Sequence, residues 1–379
     1  MDIIDLLRKC FGVNAVAVLL GARKSVKSPI REQFFADGGQ WPLASINISE
    51  LMGVIQNAPV VRRGTVAYSI DSGSNNLTAI EPQGIDLSDF ITAAELNNLR
   101  ALSNDSVQAY ANQKMNRMMN IVQRTTEALC AQALTGKIAY PMRTANGELD
   151  LYEVDYGMPN VLAEDDTDLS AATSIMDFYN VLDTIYQTLQ DQGYGDTMTV
   201  AAGKAAFSTA LKLAESSKSN ILNVSIVNQG EINVGGYTVR LQSGRYKSTG
   251  GIMVPKIPDN ALCAEDKSAG AQVKYLALDD IENGLQPMPF GTSTDLKKNP
   301  SVLEVIGRSK PLPVVAVGAL CWAKVLPETR TETVKGKKTL VPLDEQRTMK
   351  QTLRDLRAGY YPPAQNGAGV ADTDMEDGE

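Results

Sequence analysis

The chain has 379 residues, 43% of them hydrophobic, enough for two compact domains or one large core with insertions. Thirty-six Lys and Arg stand against 44 Asp and Glu, a formal charge of -8 that argues against tight nucleic-acid binding by the chain as a whole. There is no histidine, so Ser-His and Cys-His couples, imidazole metal ligands and a histidine general base are all excluded.

Cys10, Cys130, Cys263 and Cys321 lie far apart with no C-x-x-C pair, and read as small buried hydrophobes, not a zinc site or a disulfide framework. An enzyme would have to use carboxylates such as Asp165 with Asp166 or Asp279 with Asp280, but adjacent acids in polar stretches read as solvated loop residues. No Walker A or dinucleotide glycine pattern follows a predicted strand. No catalytic, cofactor-binding or metal-ligating residue is therefore expected.

Residues 3 to 20 form an amphipathic helix with Ile4, Leu7, Phe11 and Val18 on one face. They are not read as a leader: Asp2 and Asp5 sit where a basic stretch belongs, and Gly12 and Asn14 break the apolar run. Nor is the run long enough to span a bilayer. Up to Arg31 this arm holds six basic residues (Arg8, Lys9, Arg23, Lys24, Lys27, Arg31) and two acids, a local charge of +4. From Ala58 two β-prone runs flank a Ser, Gly and Asn cluster at Ser72 to Asn76, which reads as a hairpin with a long tip. Arg62 and Arg63 stand at its entry. Its apolar content is thin, so a neighbour is expected to hold it. Between Gly64 and Leu99 there is no Lys or Arg, while Asp71, Glu81, Asp86, Asp89 and Glu95 give a charge of -5.

Ser106 to Leu134 has no Gly or Pro, and Gly136 follows it as a stop signal. Val107, Ala111, Met115, Met118, Val122 and Leu129 make one apolar stripe, with Lys114, Arg117 and Arg124 projecting elsewhere. Twenty-nine residues at ~1.5 Å rise give a rod of about 44 Å. Asn104 and Asp105 supply its capping signal. A second hairpin follows around Ala145-Asn146-Gly147. A polar link, AEDDTDLSAAT at 163–173, with a domain boundary near Leu162 to Ser170, then leads to a helix from Ser174 to about Gln192, the strand TMTVAA, and a helix through Phe207, Leu211 and Ala214. Strands near 220–227, 231–242 and 251–254 follow, with Gly235-Gly236 as a hairpin turn. Near the end come two strands broken by a turn at Pro311-Leu312-Pro313, with Ala316 to Val325 as a buried return strand. After residue 327 a short helix aligns Met349, Leu353 and Leu356. The last eight residues, DTDMEDGE, include five acids and read as a disordered end.

Five segments in this order carry a resemblance: KSPIREQFFADGGQWPLASINISELMG, NAPVVRRGTVAYSID, ALTGKIAYPMRTANGELDLYEVDYGMPN, GGYTVRLQSGRYKSTGGIMVPKIPDNALCA and KNPSVLEVIGRSKPLPVVAVGALCWAKVL. Together, over about residues 17 to 326, they resemble the lambda-like major capsid protein E family of tailed phages, with the Hong Kong 97-type fold. The C-terminal extension departs from that pattern.

The resemblance implies an α+β capsid fold with an N-terminal arm at 1–58, an extended loop at 59–91 and a spine-helix peripheral domain at 92–163. An axial domain at 164–295, return strands at 296–326 and a partly disordered extension at 327–379 complete it. It implies a non-enzymatic shell protein in the virion capsid, assembled in the host cytoplasm as hexamers and pentamers of an icosahedral shell. The implied partners are further copies of the chain, decoration, scaffold and portal proteins, and packaged double-stranded DNA held without tight specific binding, with no membrane. Inter-subunit contacts are expected from Arg23, Lys24, Lys27, Arg31, Arg62, Arg63, Asp71, Glu81, Asp86, Asp89, Lys114, Arg117 and Arg124. Some shells of this fold are stapled by a loop lysine; with no lysine between Gly64 and Leu99, none is expected here. The alternatives are an encapsulin-like nanocompartment shell and a histidine-free carboxylate hydrolase.

Overall fold

A computed structural model of the chain describes residues 3–23, 26–47, 79–144, 146–216, 222–228, 230–248, 251–334, 337–343 and 346–359. Its described helices are α1 (Ile3–Cys10), α2 (Val13–Ala22), α3 (Pro29–Phe34), α4 (Ala93–Arg100), α5 (Asn104–Ala133), α6 (Ile175–Asp191), α7 (Lys204–Ser216) and α8 (Met349–Arg357). The chain folds as two compact units. The first holds Met1–Asn160, Thr184–Val200 and Cys263–Cys321; the second holds Val161–Asp183, Ala201–Leu262 and Trp322–Glu379.

The first unit is built on α5. All six residues of its expected stripe are buried, and from Thr126 to Ala133 the helix is buried on every side. Its cap differs from the expected one: the Ser103 hydroxyl accepts from the Ser106 N–H, one residue upstream of Asn104. At the other end Gly136 takes a positive φ of 80° and its N–H donates to the Ala133 carbonyl.

Residues 3 to 20 are two helices, not one. Gly12 is extended and breaks the run after Phe11, which resets the helical phase. The expected apolar face therefore fails at its last member: Val18 is 73% exposed, and Val16 turns inward with Leu7, Cys10 and Phe11 against α5.

Beside α5 lies a three-stranded antiparallel sheet of Gly291–Lys298, Ser301–Ser309 and Ile85–Thr92. The last of these is the returning limb of the extended loop, and it pairs along its whole length from Thr92 opposite Val302 to Ile85 opposite Ser309. Residues 48–78, which include the tip, lie outside the described residues. The expectation that a neighbour holds the loop is thus corrected at its base. Ile85, Leu87 and Ile91 alternate toward the core, a period-two signal obscured because Asp89 occupies the remaining inward position and the apolar Phe90 an outward one.

Pro311, Leu312 and Pro313 are not a turn. They belong to the strand Pro311–Val314, which pairs antiparallel with Gln272–Leu276 at the edge of a small sheet completed by Ala36–Trp41. An edge strand tolerates proline because its outer N–H groups have no ladder partner to lose. The hairpin of Lys137–Arg143 and Leu149–Asp155 matches the sequence reading.

In the second unit, Val224–Asn228, Glu231–Val234 and Tyr237–Leu241 form an antiparallel meander. Its second turn needs glycine twice over: Gly235 has φ 59°, and a Cβ there would approach the Tyr179 ring to 2.6 Å. The chain beyond residue 327 is folded further than its composition suggested. Thr329–Val334 and Lys337–Pro342 pair as an unanticipated hairpin, and α8 starts in a capping box between Thr348 and Gln351. The Arg347 guanidinium reaches Glu328 at 2.9 Å and Asp355 at 2.8 Å, while the Met349 N–H donates to Glu164 at 2.9 Å.

Candidate assembly surface

The sequence-nominated charges fall into three groups. Arg62, Arg63, Asp71 and Lys24 lie outside the described residues.

A second group is engaged within the chain. Lys114 projects from α5 to Asp89 at 3.1 Å and to the Phe90 carbonyl at 3.1 Å, tying the spine helix to the loop's base. Asp86 faces Arg308 at 3.5 Å. Arg308 also pairs with Asp280 and donates to Ser293 at 2.8 Å. Arg23 donates to Asn120 at 2.7 Å and Gln123 at 3.0 Å, both on α5. Burial lowers the Arg23 guanidinium from its ordinary value. Arg31 stacks 5.7 Å over the Tyr275 ring. Lys114→Met should cost about 1 kcal/mol or less in thermal unfolding, because the pair is partly solvated and screened.

The third group faces outward. Arg117 and Arg124 are exposed on α5, Lys27 is exposed beside α3, and Glu81 is exposed on the loop. Among the described residues none of these four side chains forms an ion pair.

Sequence reasoning missed Glu127, whose buried carboxylate receives the Ile30 N–H at 2.9 Å and the Arg31 N–H at 3.0 Å. Two backbone donors of α3's first turn are thereby satisfied from the spine helix. The one usable signal was that Glu127 is the only acid between Ser106 and Leu134. Asp266 was missed as well. Its carboxylate gathers the N–H groups of Gly195, Asp196, Thr197 and Ser268 together with the Thr197 and Ser268 hydroxyls. Burial alone would raise its pKa, but the bonds from Ser268, Gly195 and Thr197 outweigh that and hold the carboxyl well below the usual range.

The two carboxylate pairs are not arranged for acid–base chemistry. Asp279 pairs with Lys310 at 2.9 Å and Asp280 with Arg308, so each acid has its own cation. Burial would raise Asp280, yet hydrogen bonds from Asn283 and Ser293 and the charge of Arg308 lower it, which suits an anchor and not a proton donor. Asp165 and Asp166 are exposed on a short 3-10 turn. Among the described residues no cluster of His, Cys, Asp or Glu could hold a metal ion, and no helix is long and apolar enough to cross a membrane.

A long helix clamped to an N-terminal arm, with a strand-paired loop base and return strands beside it, makes a mixed helix-and-sheet fold that matches those of phage capsid proteins. The chain superposes on the crystal structure of a protein assigned as a prophage capsid protein in E. coli CFT073, with TM-score 0.55 and 14% identity over 83% of this chain and 99% of that one. Weaker likenesses are to the capsid of a native GTA particle (TM-score 0.43, 12% identity, 80% and 92% covered) and to a virus-like particle from Pyrococcus furiosus (0.39, 10%, 84% and 97%). No match is found among curated protein sequences. The chain belongs to the phage major capsid protein E family, whose sequence profile matches residues 13–325. Its role is that of a capsid protein, part of the shell of a virion.

Proposed function

We propose that the chain forms hexamers and pentamers that close an icosahedral shell around double-stranded DNA, assembled in the host cytoplasm with separate scaffold, portal and decoration proteins. The observation that carries this reading is the family match over residues 13–325. In it, 92–163 and 296–326 form the peripheral domain, 164–295 the axial domain, and 327–379 an extension beyond the residues matched to the family. The charges left outward, Lys27, Glu81, Arg117 and Arg124, together with Lys24, Arg62, Arg63 and Asp71, supply contacts to neighbouring subunits. Exposed ion pairs give at most ~1 kcal/mol each and are screened by salt, so they set register and orientation more than affinity. The net charge of -8 suits DNA that is enclosed and not gripped.

Purified protein at micromolar concentration should show hexameric or shell particles by electron microscopy, and native particles should contain DNA. Particles filled with an enzyme would overturn the viral reading in favour of a nanocompartment. Boiled in detergent and reductant, mature particles should give a single band near the chain mass of 40.8 kDa. A ladder of covalent pentamers and hexamers would overturn the noncovalent reading and point to Lys114 or Lys137 as the nucleophile.

A further inference from the structure

The outward face of α5 is a groove of about 800 Å³ lined by Asn112, Gln113, Asn116, Arg117, Asn120 and Arg124, with Ala109 and Ile121. No Asp or Glu occurs anywhere from Ser106 to Thr126, so this face is basic and amide-rich along its whole length. Seven residues separate Arg117 from Arg124, which places them two turns apart on the same face, about 10.5 Å along the axis. Two exposed arginines over four amides form a surface that can bind carboxylates in the guanidinium forks and an extended backbone through the amides.

The same chain carries a complementary segment. After Arg357 there is no Lys or Arg, and Asp372, Asp374, Glu376, Asp377 and Glu379 place five acids in the last eight residues. We propose that this groove is the docking site for the acidic segment Asp372–Glu379 of a neighbouring copy in the shell, a strap between subunits that the family's shared residues 13–325 do not contain. In a polyproline II segment, with three residues per turn and ~3.1 Å rise, Asp374 and Asp377 lie on one side about 9 Å apart. That spacing matches Arg117 and Arg124. The 13 steps from Gly359 to Asp372 reach about 45 Å when extended, longer than the ~30 Å diameter of a small domain.

Phosphate is the competing anion, and tethering decides between the two. A duplex neutralised by two arginines gains little at physiological salt. A tail carried by every subunit faces its groove at an effective concentration of about millimolar, where two ion pairs and a few amide bonds suffice.

The inference rests on the shell reading for its neighbour, and particle formation is scored separately by electron microscopy, so failure of one is distinguishable from failure of the other. The test uses the full chain in assembled particles with Gln113→Cys and Thr373→Cys together. The four native cysteines are all buried and none is in a disulfide, so the two introduced thiols are the accessible ones. Mild oxidation should give covalent dimers and longer chains about 10-fold faster than Ser88→Cys with Thr373→Cys. Adding Arg117→Gln and Arg124→Gln, or raising salt to about 0.5 M, should remove most of that advantage, whereas Arg117→Lys with Arg124→Lys, which keeps the charge and loses the fork, should remove less of it. A rate equal to the Ser88→Cys control, indifference to the arginine replacements, or a link closed within one chain would each overturn the proposal. So would a short DNA duplex that shields the thiol of Gln113→Cys from alkylation while the tail does not.

Discussion

Glu127→Ala is expected to free the segment from Val26 to Phe35 from the spine helix and to stop ordered particles from forming. Three side chains of α5 hold this part of the arm: Asn120 and Gln123 receive Arg23, Gln123 also receives the Val26 N–H, and Glu127 receives the N–H groups of Ile30 and Arg31. Their spacing of three and then four residues puts them on one stripe, so the arm is laid in register along the helix. Glu127 is the strongest of the three contacts. Its carboxylate is only 5% exposed and accepts two charge-assisted bonds, each worth about 1.5–3 kcal/mol in such settings. Alanine leaves two first-turn donors of α3 without their acceptor in a buried place, at a cost of several kcal/mol by the same reckoning. Hydrogen exchange should accelerate in residues 26–35 while the hairpin 137–155 keeps its protection. Glu127→Gln, which keeps shape and one acceptor oxygen but loses charge, should fall between. Unchanged exchange in 26–35 would show that Ile30 and Phe34, both buried, hold the arm without the carboxylate.

Residues whose position follows from local pattern were legible in the sequence. The spine helix announced itself by its stripe and by Gly136, and Gly235-Gly236 by the one turn chemistry that tolerates two positive φ values. The family followed from the order of such segments, and the resemblance over residues 17 to 326 nearly coincides with the matched 13–325. What stayed hidden depends on tertiary partners. Nothing local in IDLSDFIT says that Ser301–Ser309 will pair with it, and counting charges cannot tell that Asp86 and Asp89 meet Arg308 and Lys114 of their own chain. The same count gave residues 64 to 99 a charge of -5 and pointed to a positively charged neighbour. Glu127 and Asp266 were invisible for a related reason: a buried carboxylate is identified by the backbone N–H groups that converge on it, and apart from Ser268 beside Asp266 those come from 97 and about 70 residues away.

Glu265→Gln should remove a pH dependence of stability that the wild-type chain carries between about pH 5 and pH 8. Glu265 is 1% exposed, and neither carboxylate oxygen has a hydrogen-bond partner among the described residues. Burial pushes its pKa from 4.5 up to about 8; the nearby charge of Lys267 lowers it and that of Asp266 raises it, and burial prevails. The folded protein thus keeps a proton that the unfolded chain has released. Stability then falls as pH rises, by about 1.4 kcal/mol per pH unit and about 5 kcal/mol across the window, and levels off above pH 8 where both states are ionised. Asp266, the next residue in the chain, works in the opposite sense, since its depressed pKa costs stability only in strong acid. The amide introduced by Glu265→Gln would still bury polar atoms, but that cost does not vary with pH. Chemical unfolding of parent and variant at pH 5, 6.5, 8 and 9 should therefore give a stability difference that shifts in the variant's favour up to pH 8 and is then constant. A difference that stays flat from pH 5 to 8 would mean that Glu265 is ionised in the folded chain at neutral pH, with its charge met by Lys267 or by water.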